Sequence, residues 1–458
     1  MIKLIIIVLI ILLIGNVPQF DATELSSNQI NYKGRRWYIS GQFSSLKQSD
    51  GSILENVNNV ASFNGTHWEA MGNGTDGVIH DIKIDSCLNV YVVGEFTRIG
   101  NIEVSAPAAK WSPFTQEWKA IDNTTGSITY TNNRIRWKNG FRRVINSVTV
   151  DCWNIPGTIL NCNCDVYLGG SFVIEFIDQP TQLDGTFKNA TNIVRWDDFR
   201  LTWDRLGGPE ASGIIDVEKP VRSVYKKDSS ITLVEKSVWV AGDFDGYIKK
   251  RMLRDSDDRW ITLPSINGPV YKIDYRPLPI GYDLIFFSGN FNFSYEGVHC
   301  KYICVYQNHQ SLSNYQSLGN VSSPYAPPKP VTSFSLEDDL SIVYMASDTA
   351  NYSISKDNEF VEPPVAPIEN GLTSIKSVHL CNVVELSCSS GSLTLLGRNN
   401  YLRFYDSNSE TWHAFGDANP TDGNITLIDT IYFGDSSAST LSVHRSIMML
   451  FVVCWMFL

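Results

Sequence analysis

A short string, Val-Tyr-Leu-Gly-Gly-Ser-Phe at 166–172, returns along the whole chain: residues 37–43, 90–96, 238–244 and 285–291 repeat its order of apolar residues, then Gly, any residue and Phe. A looser copy, Thr-Leu-Leu-Gly at 394–397, and a degenerate one, Ile-Val-Tyr-Met-Ala at 342–346, bring the total to seven. A unit too small to bury its own apolar face must stack on copies of itself, so a repeat of this kind dictates an array.

The second half of the unit recurs as well. A Trp followed three residues on by an apolar residue appears at Trp68/Met71, Trp118/Ile121, Trp203/Leu206, Trp260/Leu263 and Trp412/Phe415, with Tyr315/Leu318 as a substituted copy. A strand ending in an aromatic precedes it, at Phe63, Trp111, Trp196, Tyr306 and Tyr405. Residues 78–84 alternate as a half-buried strand does. Each unit therefore predicts four short strands, and the fold class is all-β, a β-propeller. The first-strand copies at Gly41, Gly94, Gly170, Gly242, Gly289, Ala346 and Gly397 predict seven four-stranded blades, spaced 47 to 76 residues apart. The sixth unit, which lacks Gly-X-Phe and the Trp, leaves six blades as the fallback. Innermost strands are expected at 78–84, 144–150, 221–225, 270–275, 331–336, 373–380 and 425–433. The last has no blade after it, so it is expected to complete the first blade and close the ring by pairing chain end with chain start.

This combination of Gly-X-Phe strand, Ala-X-aromatic strand, Trp and apolar-Gly, over about residues 35–433, resembles the repeats of fungal cortical cell-polarity landmark proteins and, more distantly, kelch/galactose-oxidase propellers. The resemblance implies a propeller at the cell surface and carries no catalytic residue across.

The ends are read separately. Met-Ile-Lys followed by apolar residues 4–14 matches a secretory signal, placed at 1–22, ahead of the propeller at 23–433. Residues 434–458 match a glycosylphosphatidylinositol (GPI) attachment signal: small residues, a spacer, then an apolar tail from Ile447 too short to span a bilayer. Ser436 is the expected attachment residue, with Gly434 and Ser437 as alternatives. Eight acceptor sequences at Asn64, Asn73, Asn123, Asn189, Asn292, Asn320, Asn351 and Asn424 agree with the secretory route. The expected location is the outer face of the plasma membrane. A formal charge of -11 argues against a nucleic-acid partner.

Nine cysteines become eight once Cys454 leaves with the tail, an even number suited to disulfides. Cys381 and Cys388 flank one turn between adjacent strands. Cys152 flanks another with Cys162 or Cys164, and Cys87 is expected to take whichever of those two remains. Elimination then pairs Cys300 with Cys304, yet four residues of extended strand span about 13 Å, beyond bridging distance. Either the strand starts after Cys300 or that pair does not form.

In a four-stranded meander, second-to-third connections and sheet-to-sheet connections share one face of the ring, which also collects the long loops 44–59, 122–143, 173–190, 319–330 and 361–372. That first face is the default binding site. Within it Arg134, Arg136, Trp137, Lys138, Arg142 and Arg143 form a basic, aromatic stretch with no acidic residue nearby in sequence, suited to an anionic glycan, a lipid head group or a partner's acidic loop, or else simply a solvated loop. Asp243, Asp245, Asp255, Asp257 and Asp258 do not match a calcium loop, the histidines lack zinc spacing, and there is no Gly-X-Ser-X-Gly elbow, so no cofactor, metal or catalytic residue is assigned. The reading that follows is a GPI-anchored, N-glycosylated propeller that binds a protein or glycan ligand for adhesion, recognition or surface polarity. The alternative is a propeller enzyme, a glycosidase or oxidase, whose residues converge from several blades.

Overall fold

The computed structural model describes residues 35–432, apart from 49, 65–66, 86, 122–134, 141, 155–161, 177–188, 199, 205, 207–218, 228–235, 254–259, 278–282, 309–313, 337–341, 348–351, 357–358, 362–373, 383–386, 399–400, 407–410 and 415–423. The segments read as signal and anchor lie outside these residues. Among those described, seven antiparallel sheets of four or five strands follow one another along the chain, and no helix occurs. Their innermost strands are Asn424–Tyr432, Val78–Ile84, Val144–Asn154, Val221–Lys227, Val270–Pro277, Val331–Leu336 and Ser374–Asn382. Each neighbours the next in that order, and the last neighbours the first, so they form a closed cycle. The closure is direct: Asn424–Tyr432 pairs with Arg35–Gln42 to complete the first sheet. With sheets arranged radially around a cycle of inner strands, the fold is a β-propeller.

The recurrent glycine has one geometric task. In the first six sheets the inner strand carries a bulge at the same level, leaving Thr426, His80, Asn146, Arg222, Tyr271 and Thr332 as the extra residues. The residue opposite each bulge is Gly41, Gly94, Gly170, Gly242, Gly289 or, in the degenerate sixth unit, Ser347. A Cβ on Gly94, Gly170, Gly242 or Gly289 would meet the carbonyl oxygen of Val78, Val144, Pro220 or Pro269 well inside 3.0 Å. Glycine is the residue that admits a neighbouring backbone this closely.

The recurrent aromatics are cross-strand partners. Phe63 faces Trp68, Trp111 faces Trp118, Trp196 faces Trp203 and Tyr306 faces Tyr315, with ring centroids 5.0 to 5.2 Å apart. Such pairs add about 0.5–1.5 kcal/mol beyond area burial. The fourth sheet differs, setting Arg251 against Trp260. The apolar clusters lie between sheets rather than inside them: Tyr91, Val93 and Ala108 of the second sheet pack with Val166, Leu168 and Phe172 of the third. Tyr167 and Ile193 of the third pack with Val221 and Val240 of the fourth. No unit is complete without its neighbour, as a repeat predicts.

The cysteine alternatives resolve as Cys87–Cys162, joining the second sheet to the third, and Cys152–Cys164, between directly opposed residues of the third. Cys381 and Cys388 are opposed across the backbone of the seventh sheet, their side chains lying outside the described residues. Cys300 and Cys304 pair, with Cα atoms 5.4 Å apart, although the strand Val298–Asn308 runs through both. The strand is not evenly extended between them. Tyr302, between them, has φ 67° at an irregularity in the pairing with the preceding strand, and this left-handed residue shortens the span.

Gly170→Val is expected to destabilise the protein by on the order of 3 kcal/mol, since a backbone carbonyl cannot yield as a side chain would. The yield of secreted protein and its denaturation midpoint measure this, and wild-type values in both would contradict the role given to the glycine.

Candidate functional site

The inner strands begin on the first face, so their bulges ring the mouth of the central channel on that side. A bulge re-aims the side chain it inserts. His80, Asn146, Tyr271 and Thr332 are half-buried there and Arg222 is exposed. Contacts pass from sheet to sheet: the Asn146 amide donates to the Val221 carbonyl at 2.8 Å, and the Arg222 guanidinium lies 5.1 Å from the centre of the Tyr271 ring. Arg222 also donates two hydrogen bonds, at 2.8 and 2.7 Å, to the Asp243 carboxylate, the fork geometry that suits guanidinium and carboxylate. This bond is the main reason its pKa rises. Asp243 is the middle residue of the Gly-X-Phe string, and Glu95, the same position in the second sheet, acts on His80. Burial holds the His80 imidazole below its usual pKa, while Glu95 and Asp81 push the other way.

Just below the mouth, one residue past each bulge, polar side chains tie sheet to sheet. The Asp81 carboxylate accepts from the Ser147 hydroxyl and the Val148 amide, both at 2.9 Å. The Ser147 hydroxyl accepts from the Val224 amide at 3.1 Å, and the Ser223 hydroxyl from the Ile273 amide at 3.2 Å. Lys272 Nζ donates to the Phe334 carbonyl at 2.8 Å.

The height of the first face varies. Hairpins rise between the second and third strands of four sheets: residues 45–55, 98–103, the outer parts of Cys162–Phe176 and Asn189–Asp197, and the outer parts of Asp283–Tyr295 and Val298–Asn308. Among the described residues, the fourth sheet has only the tight turn 243–247 there. Among the described residues, a low sector therefore lies between the tall hairpins of the third and fifth sheets. In it Lys219 pairs with Asp245 at 3.0 Å, which lowers the Asp245 pKa.

The predicted basic stretch leads into the third sheet's inner strand, next to that of the fourth, and its residues take different roles. Ile135–Trp137 adds a fifth strand to the third sheet by pairing with Ile174 to Phe176. Trp137 is buried edge-on against Phe172, so it belongs to the core rather than to a binding surface. Arg136, 66% exposed, pairs with Glu175 at 2.5 Å. Lys138, Arg142 and Arg143 are exposed; Arg134 lies outside the described residues.

The second face differs in kind. Asp151, Asp165 and Asp197 stand in a row, directly opposed across three strands of the third sheet. Like charges so placed repel, and each is matched by a cation. Asp151 pairs with Lys226 of the fourth sheet, whose side chain is 1% exposed, and lies 3.7 Å from Lys236. Arg195 spans Asp165 and Asp204 at 3.5 and 2.5 Å, and Arg200 holds Asp197 at 3.0 Å. Lys110 of the second sheet pairs with Asp198. Burial is the main cause of a raised Asp165 pKa, with Asp197 and Asp204 adding to it, and burial raises Asp85 as well. Asp85, Cys152 and Cys164 lie close enough for a metal site, but both sulfurs are committed to their disulfide. Asp151 and Asp198 tie the third sheet to its neighbours, whereas Asp165 and Asp197 are held by cations of their own sheet, and pairing across strands and sheets leaves no linear signature.

Of the sugar-acceptor residues, Asn73, Asn292 and Asn320 are exposed on the first face and Asn189 is half-buried there; Asn64, half-buried, is on the second. Asn424 begins the innermost strand of the first sheet, at the first face, with its side chain outside the described residues, as are Asn123 and Asn351 entirely.

No protein-family model matches the chain, and no curated protein matches it. It is similar to a chain of the mitotic checkpoint complex at 12% identity and a TM-score of 0.44, covering 77% of this chain and 82% of that one. The WD40 repeats of RRP9 align at 9% identity and 0.42, covering 77% and 84%. Sqt1 of Saccharomyces cerevisiae aligns at 8% identity and 0.44, covering 84% and 88%. The propeller assignment stands on the chain's own strand pairing and cyclic order.

Removing one partner of a buried ion pair strands the other, at about 3–5 kcal/mol. Lys226→Met is expected to cost about 3 kcal/mol, and Asp151→Asn in the same chain to restore more than half of it. A denaturation cycle over the two single variants and the double measures the coupling, and strict additivity would contradict the tie.

Proposed function

We infer that this protein is a recognition module of the cell surface, in which the seven sheets are the blades of one ring and the first face meets a protein partner. The observation that carries this reading is the channel mouth on the first face. A rigid, cross-tied ring holds polar and cationic side chains there, framed by hairpins of unequal height, and binding groups on a rigid scaffold lose little freedom on association. In this reading residues 1–22 direct secretion, Ser436 carries the lipid anchor, and the acceptor asparagines carry glycans. The resemblance to fungal landmark repeats supports a role in surface polarity or adhesion.

Two expected outcomes follow. A phospholipase specific for phosphatidylinositol should release the protein from intact cells; protein that stays with the membrane would remove the anchor from the reading. Phe141→Thr makes Asn139 a sugar acceptor beside Arg142, on the first face, whereas Pro113→Asn creates one on the second. Partners cross-linked on living cells should be lost with the first variant and kept with the second. Equal labelling by both, or no protein labelled by the unaltered chain, would overturn the first face as the contact surface.

A further inference from the structure

The low sector of the first face already contains two carboxylates bound in the way a visiting one would be. Asp243 occupies the fork of Arg222, whose Cζ lies over the Tyr271 ring. Asp245 occupies Lys219, which is also fixed through its backbone, since the Asn192 amide of the third sheet donates to the Lys219 carbonyl at 3.3 Å. The two aspartates come from one five-residue turn, 243–247, so the chain offers its own acidic loop to its own cations. Asp245 is held loosely for this role: its side chain is 94% exposed, and an exposed ion pair contributes little. Beside the sector, Arg142 and Arg143 stand exposed immediately ahead of the inner strand Val144–Asn154.

The surroundings bear on what can reach these groups. No acceptor sequence lies between Asn189 on the third sheet's hairpin and Asn292 on the fifth's, so the interval that contains the whole fourth sheet is free of them. Sugars at those two positions would flank the sector without filling it.

We propose that the low sector over the fourth sheet is a docking notch for an acidic polypeptide loop, which displaces Asp245 from Lys219 and adds carboxylate contacts to Arg142 and Arg143. This rests on the first face being the contact surface, and it names the chemistry of the partner. The resident Asp243 and Asp245 favour carboxylates on a polypeptide over sulfate or phosphate, because their spacing on a tight turn is one that a partner's loop can copy. Such a notch also suits an acidic chain: like charge elsewhere suppresses unselective association, and the local cations select.

The test uses the full chain made in a secreting host, with three probes: a synthetic Asp/Glu-rich peptide, a sulfated polysaccharide and vesicles of anionic lipid. The peptide is expected to bind, more weakly as salt rises, and at least 10-fold more weakly to the Arg142→Glu/Arg143→Glu variant. Asp245→Asn removes the resident competitor and is expected to tighten peptide binding several-fold, a gain that loss of structure cannot imitate. An unchanged thermal midpoint for each variant controls for folding. Peptide binding indifferent to either change would overturn the proposal. So would polysaccharide or vesicles binding with that substitution pattern while the peptide does not. If Phe141→Thr abolishes partner cross-linking on cells but the arginine variant retains it, the first-face reading stands and the acidic-loop inference falls.

Discussion

One close approach organises the ring: the carbonyl that opens an inner strand lies where the neighbouring strand's glycine would carry its side chain. The approach forces one residue out of register as a bulge, and the bulge sends that residue toward the channel mouth. The residue after it then reaches the next sheet's backbone, which is why Asp81, Ser147, Ser223 and Lys272 perform similar tasks with different chemistry. Packing and site are thus set by the same irregularity. The sixth sheet keeps the bulge with Ser347 in the glycine's place.

The two faces divide the electrostatics. On the second face the Asp151–Lys226 pair is buried, its neighbours form a shared network of aspartates and cations, and two disulfides back it, an arrangement that resists change. Charges on the first face are more exposed and can trade partners at little cost. The recognition proposed for the first face would use both, a frame that does not move and groups that can.

Much of the frame was legible in the chain. The inner strands 78–84 and 331–336 fall where apolar alternation places them, and the end-to-start closure follows from a strand left over after the last repeat. What escaped shares a physical reason, dependence on neighbours distant in sequence. Trp137 reads as part of a basic loop because the strand it joins, Cys162–Phe176, overshoots its hairpin and offers unpaired backbone that only the folded sheet reveals. The aspartate row has no periodicity, since its members meet across strands. Cys300 and Cys304 looked too far apart because a left-handed tyrosine is not readable from composition. The middle residue of Gly-X-Phe carried an available signal: Glu95 and Asp243 sit where a bulge residue must face them.

The pairing that closes the ring also settles direction. Arg35 and Tyr432 are opposite one another at the second-face end of their strands, so the chain enters and leaves the propeller at nearly one point. The mouth and its cations open on the other side. Force applied between Arg35 and Tyr432 would therefore load a single strand pair in series with no other sheet.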